Sequence, residues 1–357
     1  MLRSGSSNEW VSVKDSGLWN VSTPGYTPSA YDYALASLKL SFSSMLPYQR
    51  LCFTYCAIFP RGHKIAKDDM IYQWAALGFI KPSNKVSTWN HGENCVKQLL
   101  GMSFIQHSKS PSSDGQDNED AILFTMHDLV HDLARSIVGN EVLDASSREC
   151  DIGTRNCRYT SFADSSKPLS SFVSYPDKIR ALRFMGSCKI GECDGGLSKA
   201  KYLRVLDLGE CFIQKLPSSI GQLKQLRYLN APGIKDGIIP SCITKLSKLI
   251  YLNLHGSTAI LALPETIGEM ESLMYLDLSS CSKIRELPKS FGKLKNLVHL
   301  NFSNCSHLRD VPNLENLTQL QYLNLSCSSC FIERSDGDVL GSVVRLEYLN
   351  LSSRICL

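Results

Sequence analysis

Apolar positions in the second half of the chain keep one repeating phase. The pattern L-x-x-L-x-L reads LRVLDL at 203–208, LRYLNA at 226–231, LIYLNL at 249–254 and LMYLDL at 273–278. It continues as LVHLNF at 297–302, LQYLNL at 320–325 and LEYLNL at 346–351. Successive starts are 23, 23, 24, 24, 23 and 26 residues apart, and a weaker copy, IRALRF at 179–184, precedes the first by 24. Leu216-Pro217, Ile239-Pro240, Leu263-Pro264, Leu287-Pro288 and Val311-Pro312 recur at matching positions. Ile220-Gly221 and Ile267-Gly268 repeat the turn that follows, and Phe291-Gly292 varies it.

A period in this range with this wording predicts a leucine-rich-repeat solenoid. Each unit supplies one short strand to a parallel sheet on the concave face, and its inward leucines are buried only by the neighbouring units. Cys211, Cys281 and Cys305 fall where the consensus has a small polar residue bonding backbone in the turn that leaves the strand. Alternation sends the intervening strand residues to the opposite face, so they form two columns expected to meet solvent. One reads Val205, Tyr228, Tyr251, Tyr275, His299, Tyr322, Tyr348; the other reads Asp207, Asn230, Asn253, Asp277, Asn301, Asn324, Asn350. Strands ~4.8 Å apart make the aromatic column roughly 29 Å long. It is either a protein-binding surface, since Tyr gives large contact area at low entropy cost, or a stack that stabilises the sheet. Only Ser352–Leu357 follow the last strand, which reads as C-terminal truncation of the array.

The first half has another period. Leu35, Leu38, Phe42 and Met45 follow helical spacing, as do Leu51, Cys52, Tyr55, Cys56 and Phe59, stopped at Pro60. Met70, Ile71, Trp74 and Ala75 form a third stripe and Cys95, Val96, Leu99 and Leu100 a fourth. A helix is conceivable near residues 8–16. Ser103–Gln106 and Ala121–Thr125 read as a hairpin around the polar segment 107–120. Met126, Leu129, Val130, Leu133, Ala134 and Ile137 make the cleanest helix, with Thr125 and Asp128 as a capping box and His127 and His131 together on its flank. Helices, a hairpin and a helix suit a winged-helix-like domain. The predicted fold is therefore multi-domain, an α-rich winged-helix-like domain followed by an α/β leucine-rich-repeat solenoid.

Composition sharpens the division. Of the leucines, 15 lie in residues 1–178 and 33 in residues 179–357. A net charge of +4 is too small to argue for nucleic acid, and the 126–138 helix carries Asp128, Asp132 and only Arg135. Neither a secretory leader nor a membrane-length apolar run is visible, so a cytoplasmic or nuclear protein, not a secreted one, is expected. The 14 cysteines are dispersed and read as buried reduced thiols. Cys327-x-x-Cys330 lacks a second ligand pair, and His127-Asp128-x-x-His131 lacks the Glu of a metalloprotease helix, so no metal and no catalytic residue is assigned.

Three segments carry a specific resemblance. Cys52–Pro60 (CFTYCAIFP), Ile71–Ile80 (IYQWAALGFI) and Met126–Ala134 (MHDLVHDLA) resemble, in order and spacing, motifs of plant NB-ARC leucine-rich-repeat (NLR) disease-resistance proteins of the coiled-coil type. Ser4–Trp19 resembles the end of the preceding helical subdomain. The resemblance implies a division into residues 1–29, a remnant of that subdomain; 30–140, the winged-helix subdomain; 141–178, a linker leading into the repeats; and 179–357, about eight repeats. It implies that Met126, His127 and Asp128 sense a nucleotide, with His127 near the β-phosphate of ADP, and that the family uses ADP or ATP with magnesium. The chain contains no G-x-x-x-x-G-K-[ST] to cradle phosphates, so no cofactor is expected on it and the switch is expected to be vestigial.

The resulting expectation is a non-enzymatic plant immune protein. Its repeats recognise a protein, such as a pathogen effector, a guarded host protein or another NLR, or make an autoinhibitory contact. Tyr228, Tyr251, Tyr275, His299, Tyr322, Tyr348, Asp207, Asn230, Asn253 and Asp277 are the candidate interaction residues. One alternative is an ADP/ATP switch whose nucleotide-binding half lies elsewhere. The other is a cell-surface repeat ectodomain, which glycans on the N-x-S/T sites at Asn301 or Asn324 would support.

Overall fold

The structure, a computed structural model, describes residues 29–82, 87–108, 122–144, 157–162, 178–185, 189–190, 197–309, 311, 314–328 and 345–352. The expected helix near 8–16 and Cys330 lie outside them. The chain divides into two compact units, Met1–Val142 and Leu143–Leu357.

In the first unit the described helices are α1 (Ala30–Ser43), α2 (Pro47–Tyr55), α3 (Lys67–Leu77), α4 (Thr88–Gly101) and α5 (Asp128–Val138). Their ends follow local chemistry. Ser29 caps α1 in a reciprocal box with Asp32, the Asp32 amide donating to Ser29 Oγ and the Ser29 amide to Asp32 Oδ2. Pro47 opens α2, where its missing N–H costs nothing. Gly78 closes α3 in the left-handed region at φ 82°. A small antiparallel sheet, in the order β1 (Ile65–Ala66), β3 (Leu123–Thr125), β2 (Gln106–Ser108), forms the wing. The expected hairpin is present as β2 and β3, but β1 has only two residues and no period could announce it.

Apolar stripes of these helices meet in one interior. Phe53 packs edge-on against Phe104 with ring centroids 4.7 Å apart. Trp74 is wholly buried, and Tyr55 donates its hydroxyl to Gln73 Oε1 at 2.7 Å. That bond satisfies the phenol in a site where a lone polar group would be costly.

In the second unit the sheet has ten strands, in the order β15-β14-β13-β12-β11-β10-β8-β6-β5-β4. These are β4 (Val142–Asp144), β5 (Tyr159–Phe162), β6 (Ala181–Phe184), β8 (Val205–Asp207), β10 (Tyr228–Asn230), β11 (Tyr251–Asn253), β12 (Tyr275–Asp277), β13 (His299–Asn301), β14 (Tyr322–Asn324) and β15 (Tyr348–Asn350). Within this sheet the strands from β5 onward pair in parallel with the repeats in phase, Leu206 beside Leu229, Leu252 and Leu276, while β7 (Lys189–Ile190) and β9 (Phe212–Ile213) pair in parallel with each other outside it. All eight strands expected from residue 179 onward are present, and β5 and β4 extend the sheet into the segment read as a linker. Short 3-10 turns such as Ser218–Gln222, Ser241–Lys245 and Lys289–Lys293 return the chain on the other side. Between the two layers lies a continuous core, mostly leucine and isoleucine with Phe162, Phe184, Phe291 and Phe302 among them, that runs from Cys157 to Leu325.

The turns leaving β10, β11, β12, β13 and β14 repeat a conformation the pattern did not show. Gly233, Gly256, Ser280, Asn304 and Cys327 occupy it with φ of 68°, 69°, 60°, 59° and 54°. Each amide donates to the next repeat, as Ser280 does to the Ser303 carbonyl at 2.7 Å. Two of the five are glycine; the rest hold a side chain in a region that disfavours one. Ser280→Gly is therefore expected to raise stability slightly, by about 0.5 kcal/mol, as strain relief outweighs the added freedom of the unfolded chain. A lower urea midpoint for this variant than for wild type would contradict it.

Candidate functional site

Two places hold the residues singled out by sequence. The first is the start of α5. His127 is its N-cap, with extended backbone, and its Nδ1 accepts from the Leu129 amide at 3.3 Å. The expected box between Thr125 and Asp128 does not form, because the helix starts two residues later and Asp128 is its first residue. His127 and Asp128 are exposed, whereas Met126 is buried. His131 does not share the flank of His127 as expected. It is buried, and its Nε2 lies 2.8 Å from the Phe59 carbonyl, which can only accept, so Nε2 carries the hydrogen. His131 thus ties α5 to the CFTYCAIFP segment. Asp132, one residue on, pairs with Arg61 at the surface.

His127→Ala is expected to cost about 1 kcal/mol through loss of the cap. Thermal unfolding would check it; a loss several times larger would mean that the ring does more than cap.

The second place is the sheet. The aromatic column is present in register, but it is not a solvent-facing row. Rings stack from Tyr228 through Tyr251, Tyr275, His299 and Tyr322 to Tyr348, with centroids 4.2, 4.2, 4.2, 4.0 and 4.4 Å apart and planes within 14°. Tyr228 and Tyr251 are 0% and 1% exposed and Tyr275 is 9%, while His299, Tyr322 and Tyr348 are half-buried. Strand spacing is close to ring-stacking distance, so each ring is covered by its neighbours. The expected exposure of Tyr228, Tyr251 and Tyr275 is corrected accordingly.

The polar column is also mostly inside. Asp207, Asn230 and Asp277 are buried and Asn253 is half-buried. Side-chain oxygens in this column accept the amide two residues on: Asp207 from Gly209 at 3.0 Å, Asn253 from His255 at 2.8 Å, Asp277 from Ser279 at 2.8 Å. Asn230 is the exception for a covalent reason, since residue 232 is Pro232 and has no N–H. Its Oδ1 is left buried without a partner among the described residues, while its Nδ2 donates to Asp207 Oδ1 at 2.9 Å. Burial pushes the Asp277 carboxyl above its ordinary range. Arg183 forms an ion pair with Asp207. Asn301 and Asn324 are buried and hold the Ser303 and Ser326 amides at 3.0 Å, so a glycan on either would break the turn it forms.

The consensus cysteines act as the pattern implied. Cys281 donates to the Leu254 carbonyl at 3.4 Å and Cys305 to the Leu278 carbonyl at 3.1 Å. Burial pushes the Cys305 thiol up to about 12 and Cys281 higher, so both stay protonated donors. Among the described residues the nine cysteines are thiols rather than disulfides.

Burial presses His299 down to about 3, and its Nε2 is buried without a hydrogen-bond partner among the described residues. An unfolded histidine titrates near 6.5, so below that the unfolded chain binds the proton first. The contribution of His299 is whole above about pH 6.5 and falls by up to about 1.4 kcal/mol per pH unit below it, toward pH 3. Urea midpoints at pH 7 and pH 5 should drop less for His299→Phe than for wild type; equal drops would refute the assignment.

Comparison with known proteins agrees with both units. Residues 58–134 match the family model described as the disease resistance protein winged helix domain, and residues 235–354 match a leucine-rich repeat region. In these stretches the chain is similar to plant disease-resistance proteins. RGA1 of Solanum bulbocastanum, named as a disease resistance protein, is 30% identical over 206 residues, covering 56% of this chain and 19% of its own. RGA2 of the same plant, also a disease resistance protein, is 32% identical over 140 residues, covering 39% of this chain and 13% of its own. The chain thus spans a fifth or less of the length of these disease-resistance relatives. Among solved structures, the leucine-rich repeat domain of the type III effector XopL aligns over 92% of this chain and 97% of its own at 15% identity, with a TM-score of 0.43. No described helix is long and apolar enough to cross a membrane.

Proposed function

We propose that this chain is a non-enzymatic, intracellular part of a plant immune receptor whose repeat sheet recognises a protein. The observation that carries the reading is the succession, in one chain, of a disease-resistance winged helix and a repeat region. The recognised protein is a pathogen effector, a guarded host protein or another receptor of the family. The winged-helix unit has a regulatory role. Stacking fixes the buried part of the aromatic column, so recognition falls to its half-buried members His299, Tyr322 and Tyr348, to Asn253 of the polar column and to the residues flanking both.

Crosslinking and immunoprecipitation from plant tissue expressing the chain tests this reading. Tyr322→Ala with Tyr348→Ala should abolish capture of the crosslinked protein, while Lys295→Glu, exposed after the 3-10 turn Lys289–Lys293, should leave it unchanged. Loss with Lys295→Glu and retention with the tyrosine variant would reverse the assignment.

A second reading has one observation in its favour. The exposed His127 ring stands at the N-terminus of α5, where an anion is favoured. This fits the family role of a residue that meets the β-phosphate of ADP. Calorimetric titration of the chain with ADP decides it: micromolar affinity lost in His127→Ala would establish the switch, and no heat would leave His127 as a cap.

A further inference from the structure

One column of the sheet has chemistry that neither the core nor the aromatic stack uses. The residue just before each strand lies on a backbone ladder. Arg180 donates its amide to the Arg158 carbonyl at 2.7 Å, Arg204 to Arg180 at 2.8 Å and Arg227 to Arg204 at 2.8 Å. The ladder continues with Ile250 to Arg227 at 2.8 Å, Met274 to Ile250 at 2.9 Å and Val298 to Met274 at 2.8 Å. Four arginines on adjacent strands are therefore followed by three apolar residues on the next three. Arg158 is exposed and the other six are half-buried.

Like charges in register on neighbouring strands repel and destabilise a sheet. Burial, then the Arg227 and Arg180 guanidiniums, press the Arg204 pKa down, yet a guanidinium stays charged. Arg180 stacks over Tyr202 with 5.3 Å to the ring centroid, a contact that leaves the charge in place. Arg227 Nε is buried without a hydrogen-bond partner among the described residues. At strand spacing, the four guanidiniums span about 14 Å and the three apolar residues extend the row by about 14 Å more.

We propose that this edge of the sheet binds an extended peptide segment that carries several acidic residues next to several apolar ones. Carboxylates take the arginine forks, which are built for bidentate pairing, and the apolar residues cover Ile250, Met274 and Val298. A bare polyanion would use the first part of the ladder and leave the second uncovered. The proposal rests on the reading of the sheet as a protein-recognition surface and names the chemistry of what it recognises.

Fluorescence anisotropy with the chain tests it. The probe is a fluorescein-labelled peptide of four glutamates followed by leucine, isoleucine and leucine. Comparison peptides carry lysine for glutamate, or serine for the three apolar residues. The probe should bind and the lysine peptide should not. Arg180→Gln with Arg227→Gln, which keeps long polar stems, should weaken it about tenfold or more. Met274→Asn, which removes the apolar contact without adding charge, should weaken it about fivefold, and should not affect the serine peptide. Circular dichroism confirms that each variant is folded. Equal binding by wild type and the arginine variant, or equal binding of the lysine peptide, overturns the proposal. So does displacement by tripolyphosphate combined with no effect of Met274→Asn, which would make the occupant a small polyanion. Failure here with tyrosine-dependent capture intact removes only this peptide chemistry; loss of that capture removes the broader reading.

Discussion

Gly268→Ala is expected to cost the repeat unit about 3 kcal/mol, near the upper end of what one added methyl does in a packed interior. A Cβ at Gly268 would lie 2.1 Å from the Ser290 carbonyl oxygen, 2.9 Å from its carbon and 3.0 Å from Lys293 Cβ. Two of these atoms are backbone of the next repeat, so the conflict cannot be relieved by a rotamer change. The 3-10 turns Ile267–Glu269 and Lys289–Lys293 would have to separate. They also share a bond from the Gly268 amide to Ser290 Oγ at 3.3 Å. Because repeats are held by nearest-neighbour contacts, separation at one junction also weakens cooperation across it. Urea unfolding followed by circular dichroism should show a lower midpoint and a broader or divided transition. Gly101→Ala, at the end of α4 with nothing within 4 Å of the added carbon, is the control and should be neutral or slightly stabilising. Equal effects of the two substitutions would show that the close approach at Gly268 carries no energetic weight.

The second large effect is expected at Tyr251. Its ring is sandwiched 4.2 Å from Tyr228 and 4.2 Å from Tyr275 and is 1% exposed. Tyr251→Ala removes a buried aromatic and breaks the stack on both sides, which should cost about 3–5 kcal/mol. Tyr348→Ala, half-buried and with one ring neighbour at 4.4 Å, should cost about 1 kcal/mol. The contrast separates the two roles open to this column. A small loss at both positions would make it a free recognition face, whereas a large loss at Tyr251 and a small one at Tyr348 makes its first half a structural stack.

Legibility from sequence differed by element. Periodicity revealed the eight repeat strands because each leucine set must close against the next, and a one-residue slip would turn it outward. The helices of the first unit followed from apolar spacing, while the roles of Ser29, Pro47 and Gly78 at their ends came from the structure. The two-residue strand β1 and the left-handed turn series escaped, the first for want of length and the second because glycine, serine, asparagine and cysteine fill the position in turn, so no single residue type marks it. His131 misled because helical phase set it beside His127, and only packing showed it turned to the Phe59 carbonyl. The arginine ladder was written in the sequence at 158, 180, 204 and 227. It could be seen as one line only once the backbone bonds put those residues side by side.

By itself the sequence determined the repeat period, the inward leucines, the helix order and the motifs shared with disease-resistance proteins. Those are local or periodic properties, carried by each residue and its spacing. The tertiary structure alone decided which outward residues remain outward. Alternation assigns a side chain to a face, but ring stacking at strand spacing then encloses Tyr228 and Tyr251, and the turn amides draw in Asp207 and Asp277. It also decided why a glycine is needed at Gly268 while the corresponding turn of the preceding repeat carries Thr244, whose hydroxyl meets that of Thr266 at 2.9 Å. The difference is the distance to the neighbouring repeat, a quantity that no single repeat contains.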